Sequence, residues 1–142
     1  MADCIFCKII AGQIPCTKVY EDAACLAFMD INPISPGHTL VIPKKHCEAV
    51  MEMSADETAA LFRPIPSLAA AVKGAMKAEA LNVLQNNGRA AGQAVDHLHV
   101  HLIPRWAGDG LGFRWPAKQA DFVVLAQQAE AIKAGLRLEA CG

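Results

Sequence analysis

The residues best suited to chemistry lie in the stretch Asp96–Arg105, which carries three histidines at alternate positions. His97, His99 and His101 alternate with apolar residues, which is the period of a half-buried β-strand. We therefore predict three imidazoles on one face of a strand, about 6.6 Å between neighbours and about 13 Å between the outer pair. This spacing argues against one metal held by all three rings. It favours one ring as nucleophile, while its neighbours orient it, bind an anion or ligate a separate ion.

Three solvated histidines on an ordinary strand are the alternative interpretation. The chain contains only five histidines, so three of them at alternate positions are more than composition explains. We therefore expect a functional site at this strand.

Two loops are expected to bring further groups to the histidines. The segment 30–37 is rich in proline and glycine, which makes it a rigid loop that presents Asp30 and leads into His38. The loop 86–93 contains two asparagines and two glycines and runs into the histidine stretch. Its backbone N–H groups could converge on a phosphate, although an ordinary connecting loop is the alternative.

Hydrophobic periodicity predicts strands on both sides of these loops and three helices around them. A capping box at Ser54 and Glu57 predicts the start of the long helix, and the prolines at positions 64 and 66 predict a kink or break within it. The predicted strands are Val19–Tyr20, Ala24–Met29, His38–Pro43, Leu81–Gln85 and the histidine stretch; the predicted helices are Cys4–Ala11, Ser54–Ala78 and Asp121–Leu138.

Composition limits the class of protein. The chain has 142 residues, the size of one ordinary domain, and we predict a single domain over 1–142. Its 13 Lys and Arg balance 14 Asp and Glu, which argues against binding to nucleic acid or to a membrane surface. Apolar runs are too short to span a bilayer, and there is no cationic lead into an apolar segment, so we expect a cytoplasmic protein.

Cys4 and Cys7 have the spacing of a metal-binding pair. Zn²⁺ takes four ligands of the cysteine and histidine type, and His46 and His97 are available to complete such a set. The alternative is that both cysteines are small buried hydrophobic residues. We predict a structural zinc site and no organic cofactor.

Several separated motifs together resemble the histidine-triad (HIT) family of nucleotide-binding proteins. These motifs are the His-x-His-x-His stretch, the Gly92-Gln93 pair before it, and the segment 37–46 with sequence GHTLVIPKKH. The resemblance implies an α+β fold with a five-stranded antiparallel sheet, one long helix and shorter N- and C-terminal helices. It also implies a homodimer.

The resemblance implies an enzyme that cleaves the α-phosphate linkage of purine nucleotide conjugates. His99, the middle histidine, would attack the α-phosphorus and form a nucleotidyl-histidine intermediate that water releases. His101 would contact the phosphate, while His38 and His97 would support the triad. Phosphoramidates, dinucleoside polyphosphates and adenylylated amines all fit this activity as substrates.

The family's binding residues can be carried over to matching positions. Some members have a serine where this chain has Ala94, and alanine cannot donate that hydrogen bond, so leaving-group preference is open. The implied zinc site of some relatives uses the same four residues as above, and would fix the N-terminus and the triad rather than activate water. The implied binding residues are Asp30 for the ribose; Phe6, Ile9, Ile14, Phe28 and Ile31 for the base; and Asn86, Gly92, Gln93, Ala94 and Val95, with His99 and His101, for the phosphate.

Two other functions are also compatible with the sequence. A metal-dependent enzyme could use the His-x-His pair as ligands, as cupin-like barrels do, and would lose activity on chelation. A regulatory module with vestigial catalysis would bind a nucleoside monophosphate tightly with negligible turnover.

Overall fold

The structure is a computed structural model, and it describes residues 3–112 and 116–140. The chain divides into two compact units, Met1–Asp109 and Gly110–Gly142. All the candidate site residues lie in the first unit. The single domain over 1–142 stays a prediction.

One antiparallel sheet forms the centre of the first unit. Its strands follow the order β1-β2-β3-β5-β4, and every neighbouring pair is antiparallel. The α+β fold with a five-stranded antiparallel sheet is thus confirmed. The strands are β1 (Lys18–Glu21), β2 (Cys25–Met29), β3 (Thr39–Pro43), β4 (Ala80–Gln85) and β5 (Val100–Arg105).

The helices begin and end close to the predicted residues, with one difference in length. The helix expected over Ser54–Ala78 is two helices that meet at Pro64, because proline lacks the N–H that would continue the first of them. The predicted capping box at Ser54 is present. The longest helix is instead the C-terminal one, with 19 residues. The helices are α1 (Ile5–Ile10), α2 (Ala55–Phe62), α3 (Ile65–Ala75) and α4 (Phe122–Ala140).

Helix α4, although 19 residues long, lacks the sustained hydropathy that crossing a bilayer requires. The other helices within residues 3–112 and 116–140 are too short to cross a bilayer.

The histidine stretch is only half a strand. β5 begins at Val100, so His101 lies on the strand, whereas His97 lies in a bend and His99 in irregular backbone before the strand. The prediction that all three histidines share one strand is therefore wrong. The physical reason is that Leu98 donates its N–H to the carbonyl of Cys47, outside the strand ladder, at 2.7 Å.

The sheet separates two apolar clusters. Helices α2 and α3 pack on one face of the sheet through Leu61, Leu68 and Val72. The strand residues in this cluster are Cys25, Ala27, Val41, Val100 and Leu102. Helix α1 packs on the other face, where Phe6 contacts a cluster formed by Leu26, Phe28, Leu40 and Ile42. His101 is paired with Leu40 across β5 and β3, so it shares this second face with α1.

Gly37 fixes the turn that leads into β3. Its φ of +85° is unfavourable for side-chain-bearing residues, and an added Cβ would lie 2.3 Å from Met76 Cγ and 3.2 Å from Pro104 Cγ. We expect Gly37→Ala to lower the free energy of unfolding by about 2–3 kcal/mol, from backbone strain and overpacking together. Denaturant unfolding measures this loss.

Gly12→Ala is the matched control for that substitution. Gly12 also has a positive φ, +73°, but no atom lies within 4 Å of its added Cβ. It should cost only the backbone strain of about 1 kcal/mol. Equal losses in the two variants would contradict a packing role for Gly37.

Candidate active site

His38 and His101 form a pair in which hydrogen bonds fix the position of each proton. The N–H of Ile34 donates to Nδ1 of His38 at 3.2 Å, so neutral His38 carries its proton on Nε2. That proton is donated to Nδ1 of His101, 2.9 Å away. Neutral His101 must then carry its own proton on Nε2, which makes it a donor suited to an anion.

The surroundings of this pair keep both rings neutral near pH 7. Burial lowers the pKa of His38, while the carboxylate of Asp30, 3.6 Å from Nε2, opposes that effect. Burial, together with the neighbouring His99 and His38, lowers the pKa of His101 to about 4. Asp30, His38 and His101 thus form one connected group at the start of β3 and β5.

His99 has a hydrogen bond that leaves one ring nitrogen available. Its Nδ1–H donates to the carbonyl of His97 at 2.7 Å, so the lone pair lies on Nε2. The ring is 5% exposed and lies 4.8 Å, centroid to centroid, from that of His101. An imidazole held in this tautomer beside an N–H donor is equipped for attack on an anionic phosphate.

The four predicted metal ligands are close together. One ligand atom from each of Cys4, Cys7, His46 and His97 lies within 4.8 Å of all the others. The Nε2–H of His97 donates to the carbonyl of Pro43 at 2.9 Å, which leaves the lone pair of Nδ1 facing this cluster. Burial lowers the pKa of His97, so its ring is in the neutral form that binds metals.

The separations in this Cys/His cluster fit a tetrahedral ion. Zn–S bonds of about 2.3 Å and Zn–N bonds of about 2.0 Å place tetrahedral ligand atoms roughly 3.3–3.8 Å apart. The measured sulfur–nitrogen and nitrogen–nitrogen separations run from 3.2 to 3.6 Å. The donor set, two thiols and two imidazoles, is also the type that zinc prefers.

The structure brings only some of the residues expected to contact a base close together. Phe6 and Phe28 are buried with ring centroids 5.6 Å apart, and Phe6 lies edge-on to His99 at 5.4 Å. Ile9 packs against the same apolar cluster. Ile14 is half-buried, and Ile31 is 86% exposed. The two phenylalanines are therefore packed together, whereas Ile31 lies in solvent, and contact of these residues with a base stays a prediction.

The loop before the histidines is braced by its glutamine. Oε1 of Gln93 accepts the N–H of Gly88 at 2.6 Å, and Nε2 donates to the carbonyls of Glu48 and Val95 at 2.7 and 3.0 Å. This buried amide therefore shapes the loop, and phosphate contact by its side chain stays a prediction. Gly92 adopts the left-handed conformation with φ of +92°, next to the amide of Asn86.

Ala94 and Val95 form part of a surface cavity of about 450 Å³. The same cavity is lined by Cys4 and His46, so it reaches the Cys/His cluster. Ala94 itself is exposed. The alanine thus leaves open space where a serine hydroxyl would stand.

Sequence reasoning missed the backbone groups that fix three of the histidines, His38, His97 and His99. These groups are the N–H of Ile34 and the carbonyls of Pro43 and His97. No side-chain pattern points to a backbone donor or acceptor. The one available signal was position, because Pro43 ends the strand that begins beside His38.

Comparison with known proteins identifies the class of protein as an α+β domain carrying a histidine triad. The HIT domain matches residues 11–108. The chain is 52% identical over 115 residues to the adenosine 5′-monophosphoramidase hnt1 of Schizosaccharomyces pombe, covering 80% of this chain and 84% of that protein. The chain belongs to the HIT family.

Solved structures of similar proteins agree with this assignment. A crystal structure from Streptococcus mutans has a TM-score of 0.92 and 49% identity, covering 96% of this chain and 87% of that one. A Zn-bound histidine triad family protein from Mycobacterium smegmatis has a TM-score of 0.73 and 34% identity, covering 92% and 98%.

Proposed function

We propose that this protein is a nucleotide hydrolase that cleaves the α-phosphate linkage of adenosine phosphoramidates through a nucleotidyl-histidine intermediate. The observation that carries the proposal is the pair of rings formed by His99 and His101. One presents an unprotonated Nε2 and the other presents an N–H. The name of the S. pombe relative, an adenosine 5′-monophosphoramidase, supports the same substrate class.

The reaction follows from the tautomers of the site. Nε2 of His99 attacks the α-phosphorus, the phosphorus–nitrogen bond breaks, and the amine leaves with a proton from solvent. The phosphorylated ring becomes positively charged, and its Nδ1–H bond to the carbonyl of His97 stabilises that charge. His101 donates its Nε2–H to a phosphate oxygen. Water then attacks the phosphorus, which frees His99 and releases AMP.

His38 acts on this reaction through His101. Because Ile34 holds the His38 proton on Nε2, the His101 proton is held on the nitrogen that faces the substrate. His38 is therefore a positioning residue. The loop with Asn86 and Gly92, and the N–H groups of Ala94 and Val95, would hold the remaining phosphate oxygens.

Zinc at the Cys/His cluster is part of the proposal as a structural ion. Cys4, Cys7, His46 and His97 would hold it, and the measured separations and the Zn-bound M. smegmatis relative support this choice. The ion would supply a cross-link between α1, the end of β3 and the histidine segment. With four protein ligands it would leave no position for a reacting water. The homodimer and the cytoplasmic location stay predictions.

Substitution of Asp30 tests whether this residue binds the ribose of the nucleotide. Its carboxylate, with Oδ1 accepting the N–H of Asn32 at 2.8 Å, would bind the ribose hydroxyls through charge-assisted hydrogen bonds. Loss of such bonds costs about 1.5–3 kcal/mol, so Asp30→Asn should weaken AMP binding roughly 10- to 100-fold. Titration calorimetry with AMP and with inorganic phosphate separates the two halves of the ligand. Equal losses for both would contradict a ribose contact.

The proposal as a whole is tested by release of AMP from adenosine 5′-phosphoramidate. The assay is run on the zinc-loaded protein with and without a chelator added immediately before substrate. Turnover that persists after brief chelation, even at a lower rate, supports histidine catalysis. Turnover lost at once on chelation would favour the metal-dependent enzyme. Tight AMP binding without turnover would favour the regulatory module.

A further inference from the structure

His97 joins the Cys/His cluster to the proposed nucleophile. Its ring contributes Nδ1 to the cluster, while its backbone carbonyl accepts the Nδ1–H of His99 at 2.7 Å. A change in what the ring binds therefore acts on the residue that orients His99. Within residues 3–112, His97 is the one member of the cluster that also forms a hydrogen bond with His99.

Phe6 provides a second connection between the cysteines and His99. It lies between Cys4 and Cys7 in the chain, on helix α1. Its ring is edge-on to His97 at 5.8 Å and to His99 at 5.4 Å. The position of α1 and the position of the nucleophile are thus coupled by packing as well as by a hydrogen bond.

Cys4 and Cys7 are placed so that they can form a disulfide. Their sulfurs lie within 4.8 Å of each other, and the N–H of Cys7 donates to Sγ of Cys4 at 3.5 Å. Residues three apart at the start of a helix have Cα atoms about 5 Å apart, which is inside the range that disulfides span. The backbone therefore needs no large movement to close the bond.

Both thiols are also within reach of a small oxidant. Cys4 and Cys7 are each partly exposed, and the cavity of about 450 Å³ is lined by Cys4 and His46. Hydrogen peroxide is small and uncharged, so it can enter this cavity. By contrast, Cys25 and Cys47 are buried and therefore less accessible to an oxidant.

We infer that Cys4 and Cys7 are a peroxide-oxidised thiol pair whose disulfide releases the bound metal and slows catalysis at His99. This inference rests on the proposed function and on the proposed zinc site. It gives Cys4 and Cys7 a second role beside metal binding, which is oxidation to a disulfide. The rate of catalysis at His99 then depends on whether Cys4 and Cys7 are reduced or oxidised.

The oxidation is balanced with peroxide as the only oxidant. One thiolate attacks a peroxide oxygen, the O–O bond breaks, and a sulfenic acid and a hydroxide form; the hydroxide takes a proton from solvent and becomes the first water. The second thiolate attacks the first sulfur, the S–O bond breaks, and the departing hydroxide takes a proton from solvent and becomes the second water. The two sulfurs lose two electrons, which reduce one hydrogen peroxide to two waters.

The disulfide removes two of the four ligands at once. A disulfide sulfur is not a thiolate, so only His46 and His97 would remain, too few for a stable zinc site. His97 would then be less constrained, and its carbonyl would hold His99 in the attacking tautomer for less of the time. Asp30, His38 and His101 lie at the start of β3 and β5 and keep their contacts, so nucleotide binding should change less than turnover.

The experiment titrates the zinc-loaded protein with hydrogen peroxide and follows three quantities. A chromogenic chelator measures zinc release, peptide mass spectrometry detects a Cys4–Cys7 disulfide, and steady-state kinetics give kcat and KM. We expect one zinc released per disulfide, kcat lowered about 10-fold or more, and KM within about 3-fold. Dithiothreitol with added zinc should restore both zinc content and kcat.

Two variants locate the effect. Cys16→Ser removes a partly exposed thiol outside the cluster and should respond like the wild type. Cys4→Ser/Cys7→Ser should release no zinc on oxidation and should show no peroxide-dependent fall in kcat. A peroxide response that persists in the double variant would overturn the inference, because another residue would then be the target.

Failure of this inference can be told apart from failure of the proposed function. Zinc retained in a protein shown to contain the disulfide, or a disulfide that never forms, would overturn the inference whether or not the protein is active. A wild-type protein without turnover before oxidation would contradict the proposed function. Parallel losses in kcat and in AMP binding on oxidation would show general unfolding and would also overturn the inference.

Discussion

His99→Asn is expected to lower the rate of AMP release from adenosine 5′-phosphoramidate at least about 10³-fold, because it removes the attacking nitrogen. The asparagine amide can still donate an N–H toward the carbonyl of His97, which accepts the His99 Nδ1–H at 2.7 Å in the wild type. The backbone should therefore stay in place. AMP binding should change by less than about 5-fold, since the affinity is attributed to Asp30, the residues expected to contact the base and the phosphate loop.

The matched control for this substitution is His101→Asn. It leaves the nucleophile intact and removes one N–H donor to the phosphate, which typically costs about 10²–10³ in rate. A rapid denaturing quench at alkaline pH, where the phosphorus–nitrogen bond to histidine survives, should trap a radiolabelled nucleotidylated protein in the wild type and in the His101 variant. No adduct should form in His99→Asn. An adduct on a different residue, or unchanged turnover, would contradict the assignment of His99.

Much of the fold could be predicted because its signals are local. The continuous apolar runs of β2 and β3, the Ser54 capping box and the proline break at position 64 each follow from residues close in sequence. The error at the histidine stretch has a different origin. Alternation predicts the extended conformation of His97 and His99, but only long-range pairing decides where the ladder begins, and it begins at Val100.

The candidate site was predictable as a set of side chains, but the interactions that fix their states were not. Cys4, Cys7, His46 and His97 come together as expected from their types and order. The tautomers do not follow from sequence, because they depend on backbone groups such as the N–H of Ile34 and the carbonyl of Pro43. Gln93 shows the same limit, since a polar side chain in a loop fits a ligand contact or an internal brace equally well.

The second large effect is expected from Cys4→Ser/Cys7→Ser, which should reduce bound zinc from one ion per chain to none. An ion that binds only the folded chain stabilises it by about 4 kcal/mol when its concentration is a thousandfold above Kd. The variant should therefore lose about 4 kcal/mol and melt about 10–15 °C lower than the zinc-loaded wild type. Metal analysis after gel filtration and calorimetry measure the two quantities.

Chelation of the wild type separates loss of the ion from loss of the cysteines. If the ion alone supplies the stability, the metal-free wild type and the double variant should melt at nearly the same temperature, and added zinc should raise only that of the wild type. Cys16→Ser, whose thiol lies outside the cluster, should bind zinc and melt like the wild type. Full zinc content in the double variant would place the metal elsewhere and would remove the cross-link on which the coupling between α1 and His99 depends.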